Sequence, residues 1–230
     1  MGLNANNELP AGFACLAIDT STQQGSVAAC SGERICKLDL SAGLQSRQIY
    51  TAVRDVLEEL DIELDALDCI ALGIGPGAFT GLRVAAAAAQ ALSYGAGKPV
   101  VKVSSLAAMA LGAKRKFGEG DVVACLDARM GEAYLGHYQS SSGSVMTEDL
   151  LIDPQTYQLP EGLKFYAVGS GWAAYESLSS RYQPSMIAMD FEMVPAAADM
   201  LTIAAHDFQA GKLVSPEQAL PNYVRDKVTY

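Results

Sequence analysis

Gly75-Pro76-Gly77-Ala78-Phe79-Thr80-Gly81-Leu82-Arg83 joins an apolar run at residues 69–74 to an alanine-rich run at residues 81–94, and the reading of this junction decides the fold. Its glycines allow close backbone approach, Pro76 fixes one φ, and the N–H groups at a helix start form a site for an anion or a partner. A Walker loop needs Lys-Ser or Lys-Thr after its second glycine, and the only nearby cation here, Arg83, lies inside the helix. The dinucleotide fingerprint fails as well. Thr80 stands where its third glycine belongs, and residues 94–102 hold no acid for a ribose hydroxyl. A plainer reading stays open, in which the run is only a strand-to-helix turn with Thr80 as N-cap.

Upstream of the junction, periodicity predicts strands over residues 14–18, 25–30 and 34–38. A helix follows over 46–60, with Ile49, Val53, Val56, Leu57 and Leu60 at spacings of three and four. Downstream, the helix over 81–94 stops at Gly95 and Gly97, a strand covers 98–103, and a helix covers 106–114. The opening pattern then recurs. Val123-Ala124-Cys125-Leu126-Asp127 ends an apolar strand on an acid as Cys15-Leu16-Ala17-Ile18-Asp19 does, and an alternating strand over 133–138 follows. Beyond it only a strand at 165–168 and a helix at 196–210 stand out. No low-complexity linker separates the halves.

The chain has 230 residues, half of them hydrophobic and 18% charged, which fits one or two packed domains and argues against disorder. Its net charge of −10, from 16 basic and 26 acidic residues, repels nucleic acid at long range, and no basic cluster interleaved with aromatics offsets it. No stretch is long and apolar enough to span a bilayer, and the polar start lacks a signal-peptide pattern. A soluble, cytoplasmic protein with no membrane partner is the expectation. The five cysteines, Cys15, Cys30, Cys36, Cys69 and Cys125, lack metal-ligand spacing and read as reduced core thiols.

Chemistry is sparse. His137 and His206 are far apart in the chain and form neither HxxxH nor HExxH, so no metal site is expected. Ser21, Ser26 and Thr80 lack a nucleophile-elbow setting. Asp19, followed by Thr20, Ser21 and Thr22, either orients a metal-bound water near a phosphate or closes a hairpin through an Asx or ST turn. Asp127, with Arg129 and Glu132, poses the same choice between a local ion-pair turn and a polar contact surface.

Four segments in this order carry a family resemblance: Asp19-Thr20-Ser21-Thr22 with Ser26-Val27-Ala28; Gly75 to Arg83; Asp127-Ala128-Arg129-Met130-Gly131-Glu132-Ala133-Tyr134; and Pro221-Asn222-Tyr223-Val224-Arg225. Together they resemble the TsaB family of tRNA threonylcarbamoyladenosine synthesis, over about residues 13–228. The resemblance implies an α/β, actin-like and Hsp70-like (ASKHA) two-lobed fold from a duplicated βββαβα unit with the second lobe reduced. The expected layout is a loosely held extension at 1–12, a first lobe at 13–107 and a reduced second lobe at 108–230.

The resemblance also implies a non-catalytic subunit without cofactors. It binds the paralogous catalytic subunit TsaD and acts with the ATPase TsaE in modifying adenosine 37 of tRNAs reading codons that begin with adenine. It pairs with a second copy when isolated and meets tRNA only through the complex. The catalytic paralogue carries an HxxxH metal pair on the helix matching residues 46–60, where Ser46 and Tyr50 stand here. TsaB-like chains often have His near position 46, so this departure puts any polar role of that site in question.

Family members join partners through the helices that match residues 46–60 and 81–94, which makes Ser46, Tyr50, Leu57, Leu82, Ala85, Ala86 and Ala89 candidate contacts. The alternative is that they face the lobe's own sheet. Asp19, Thr20, Ser21, Gly75, Gly77 and Thr80 become vestigial phosphate-site positions. Two rivals remain: a phosphotransferase using Asp19 and the Gly75 run around Mg-ATP, and a metallopeptidase, which lacks its ligand pair.

Overall fold

The computed structural model describes residues 9–139, 144–145 and 148–224. β1 (Ala14–Asp19), β2 (Gly25–Ser31) and β3 (Arg34–Leu40) form an antiparallel meander, with β1 and β2 almost wholly buried and β3 at the exposed edge. Burial on both faces is why β1 and β2 read as continuous apolar runs, without alternation. α1 (Gln45–Leu60) turns Ile49, Ala52, Val53, Val56, Leu57 and Leu60 inward and ends at Asp61 in the left-handed region. β4 (Cys69–Gly73) then pairs parallel to β1, α2 (Phe79–Ala96) crosses back, and β5 (Val100–Val103) pairs parallel to β4. The sheet order is β3-β2-β1-β4-β5.

After α3 (Ser105–Phe117) the pattern repeats with β6 (Asp121–Asp127), β7 (Ala133–Gln139), β8 (Ser144–Val145), β9 (Leu150–Ile152) and β10 (Phe165–Val168). Two short helices, α4 (Gly171–Ala174) and α5 (Glu176–Tyr182), lead to β11 (Met186–Asp190), and α6 (Ala197–Gln209) follows. The second sheet runs β11-β10-β6-β7-β8, with β9 also on β7. β6 pairs antiparallel to β7 and parallel to β10, as β1 does to β2 and β4. Order and direction therefore coincide strand for strand, and the actin-like duplication expected from one repeated strand-to-Asp pattern is present. The second copy is reduced: among the described residues no helix lies between β9 and β10, where the first copy has α1.

Two compact units divide the chain. Of the described residues, one takes Met109–Val194 with residues 223–224; the other takes residues 9–108 and Pro195–Asn222. The expected second lobe at 108–230 is corrected accordingly, because α6 returns to the first sheet. Its Ala197, Met200, Leu201, Ala204 and Ala205 are buried with Cys15, Ala17, Ala28, Ala71, Val101 and Val103. Each large apolar side chain so buried favours docking by roughly 1.5–3 kcal/mol. The opposite face of this sheet packs against α1 and α2. Residues 1–8 of the expected extension lie outside the described residues, while Leu9 is buried in the α6-side core.

In the other unit a separate core surrounds Trp172, whose indole N–H donates to Val123 O at 3.1 Å. The free cysteines Cys15, Cys30, Cys69 and Cys125 are buried, and Cys36 is half-buried.

Candidate functional site

The β1–β2 loop is the first candidate, and the polar groups at its start are turned inward, while Gln23 and Gln24 at its tip are exposed. Asp19, Thr20 and Ser21 are essentially inaccessible. Asp19 Oδ1 accepts from the Ser21 N–H at 2.9 Å and the Ser21 hydroxyl at 2.7 Å, while Oδ2 accepts from the Ser105 hydroxyl at 2.8 Å. Thr20 donates its hydroxyl to Gly81 O at 2.7 Å. Burial pushes the Asp19 carboxyl above its ordinary value, against the opposing pull of the Ser21 and Ser105 hydrogen bonds.

The glycine junction closes this loop from outside. A methyl group at Gly73 would collide with Asp19 Oδ2, one at Gly77 with Ser21 O, and one at Gly81 with Thr20 O. The Ala78 N–H, which an anion would need, donates to Ser21 O at 2.6 Å. At the loop tip, Gln45 of α1 donates to the carbonyls of Thr22 and Gln23, both at 2.9 Å. Gly75, at φ 95, supplies the left-handed corner, and its carbonyl accepts from the Ser105 N–H at 2.8 Å. Thr80 is exposed and is not the N-cap. α2 begins at Phe79 after Ala78, without a side-chain cap, so that expectation is corrected.

The seven candidate contact residues separate sharply. Leu57, Leu82, Ala85, Ala86 and Ala89 are all buried, Leu57 being the most accessible at 8%. Their reading as contact residues is corrected: the small side chains let α2 lie close to its own sheet, and the sequence could not distinguish that face from an outer one. Ser46 is exposed and Tyr50 is 53% exposed, one turn apart on α1. The outer face of α2 instead carries Thr80, Arg83, Ala87, Ala91 and Tyr94, with the Arg83 guanidinium 3.8 Å from the Phe79 ring centroid. Among the described residues no group of three or more His, Cys, Asp or Glu side chains is placed to hold a metal ion. No described helix is long and apolar enough to cross a membrane.

The β6–β7 loop is the duplicate of the first and is built differently. Asp127 Oδ1 accepts from the Arg129 N–H and the Tyr175 hydroxyl, both at 2.8 Å, and Oδ2 lies 3.0 Å from an Arg129 guanidinium nitrogen. The Tyr175 oxygen also lies 2.7 Å from Glu132 O. Burial, then the Asp127 contact, push the Tyr175 phenol up to about 12. Arg129, Met130 and Gly131 all have positive φ, at 64, 57 and 83°, and Met130 is 67% exposed. This loop is an open turn propped from below by Tyr175. No spacing or motif linked Tyr175 to Asp127.

Fold and loops define a duplicated actin-like α/β protein, and the family described as TsaD: tRNA N6-adenosine threonylcarbamoyltransferase matches residues 40–227. The Escherichia coli K12 protein named tRNA threonylcarbamoyladenosine biosynthesis protein TsaB is 36% identical over 223 residues, covering 94% of this chain and 96% of that one. Its Haemophilus influenzae namesake is 32% identical over 227 residues, covering 94% of each. A Pseudomonas aeruginosa crystal structure, described as an uncharacterized protein with similarity to peptidase YeaZ, superposes with a TM-score of 0.85 at 35% identity. It covers 93% of this chain and 100% of that one. The chain belongs to the TsaB family.

Proposed function

We propose that this chain is a non-catalytic subunit in the synthesis of threonylcarbamoyladenosine on tRNA, binding a TsaD-type catalytic paralogue that works with a TsaE-type ATPase. The observation that carries the non-catalytic part is the closed β1–β2 loop. A phosphate-binding loop must direct N–H groups and hydroxyls outward; here the Ser21 and Ala78 N–H groups and the Thr20, Ser21 and Ser105 hydroxyls are all spent on the chain itself. The same geometry disfavours the phosphotransferase alternative built on Asp19. Contact with TsaD is assigned to the exposed residues of α1 and α2, with Tyr50 as the aromatic anchor. When isolated, the chain uses this face for a second copy of itself, and tRNA is reached only through the complex.

The test is reconstitution of adenosine 37 modification from purified TsaD, TsaE and a threonylcarbamoyl donor. The rate should depend on this chain and fall at least tenfold with Tyr50→Lys. A full rate without the chain would overturn the proposal.

A further inference from the structure

The free edge of the first sheet carries a pattern that the proposed role does not use. Among the described residues β3 ends its sheet, pairing only with β2, and all of its residues except Cys36 and Leu40 are exposed. The Gly32 N–H donates to Phe13 O at 2.8 Å, so Ser26, Ala28 and Cys30 turn their backbone groups to β1 and the alternate residues of β2 turn theirs to β3. The β2–β3 register fixes the rest. Arg34, Cys36, Leu38 and Leu40 face β2 with their backbone groups, and the N–H and C=O groups of Ile35, Lys37 and Asp39 point away from the sheet. Such a row is a template for another strand. It ends at Asp39, because the next outward N–H, that of Ser41, donates to Gln48 Oε1 at 2.8 Å.

The side chains of this edge sort by face. Cys36 and Leu40 pack in the α1-side core with Leu38 in the same row, 36% exposed, and Ile35, Lys37 and Asp39 stand on the other face. An antiparallel second copy meets these rows in few registers. With Lys37 opposite itself, like charges face each other; with Ile35 opposite Lys37, the acids Glu33 and Asp39 are brought together. With Lys37 opposite Asp39, two pairs of opposite charge form, Leu38 meets its counterpart on the two-fold axis, and Cys36 faces Leu40. That register alone satisfies both rows.

We propose that the β3 edge is a self-association surface, on which a second copy of this chain pairs antiparallel with Lys37 opposite Asp39 and joins the two five-stranded sheets into one. The contact uses none of the α1 and α2 residues assigned to TsaD, so it stands or falls apart from that assignment.

Sedimentation equilibrium of the full chain carrying Tyr50→Lys, which blocks the helix face, tests the proposal. That chain should still dimerise. Adding Lys37→Asp sets acid against acid twice and should weaken the dimer at least about tenfold, while Lys37→Asp combined with Asp39→Lys should restore it. Leu38→Cys in the same background should yield a dimer cross-linked on oxidation by copper phenanthroline, because facing residues at a non-hydrogen-bonded position lie about 4.5 Å apart between Cα atoms, within disulfide range. A Tyr50→Lys chain that is monomeric at every concentration, a Lys37→Asp dimer as tight as its parent, no recovery in the exchanged pair, or no Leu38→Cys cross-link would each overturn the edge contact and leave the proposed function standing.

Discussion

The β1–β2 and β6–β7 loops descend from the same duplicated strand pair, and each opens on an aspartate at the end of its first strand, Asp19 or Asp127. One has been folded inward until Asp19, Thr20 and Ser21 are buried; the other projects Arg129 and Met130 outward on a left-handed turn. The contrast teaches that an aspartate at a strand end does not define a site. What packs against it does. Gly73, Gly77 and Gly81 bring backbone against the first loop, whereas nothing lies within 4 Å of the Cβ position at Gly131 in the second.

The largest expected effect comes from opening the clasp. Gly81→Ala forces a methyl into the Thr20 carbonyl and should cost about 3 kcal/mol in urea unfolding. Gly131→Ala in the sister loop meets only its positive φ and should cost about 1 kcal/mol. Equal costs would erase the distinction between the loops. Next, Asp19→Ala leaves the donors of Ser21 and Ser105 buried without an acceptor, a loss of about 2–3 kcal/mol. Asp127→Ala, at a more open site, should lose about 1 kcal/mol by the same measurement.

Acidity sharpens the comparison further. With the Asp19 carboxyl raised by burial, the folded chain keeps this proton at pH values where the unfolded chain has released it. The associated stability is fully present below the unfolded pKa and is lost as pH rises through the folded one. Urea midpoints of the Asp19→Asn chain should therefore depend less on pH than those of the unaltered chain from the ordinary carboxylate range upward. An unchanged slope would mean that Asp19 is not the group responsible. The smallest effect is Tyr175→Phe, about 1 kcal/mol, followed through the fluorescence of Trp172, the sole tryptophan and a member of the same unit's core.

Much of the first copy was legible because its elements are long and regular. The stripe from Ile49 to Leu60 and the apolar run at residues 69–74 predicted α1 and β4 to within a residue or so. The second copy was legible at β6, β7 and β10 but not at β8, β9, α4, α5 and β11. The two helices and β9 are too short to show a period, and β11 is a half-exposed edge strand whose Ile187 and Met189 face solvent.

The return of α6 to the first sheet is a tertiary choice that no local pattern encodes. For the candidate sites, sequence found both aspartates and the glycine junction. It missed Ser105 and Tyr175, which lie 86 and 48 residues from the carboxylates they serve. It left open which face of α2 is the inner one, because alanine at successive positions gives a helix little hydrophobic contrast between its sides.

Calorimetric titration of the purified chain with Mg-ATP, set beside Asp19→Asn, bears most directly on the claim that the first loop has become a packing element. The closed loop predicts no saturable binding that the substitution removes. A clear isotherm in the unaltered chain, abolished by Asp19→Asn while the fold persists, would contradict it.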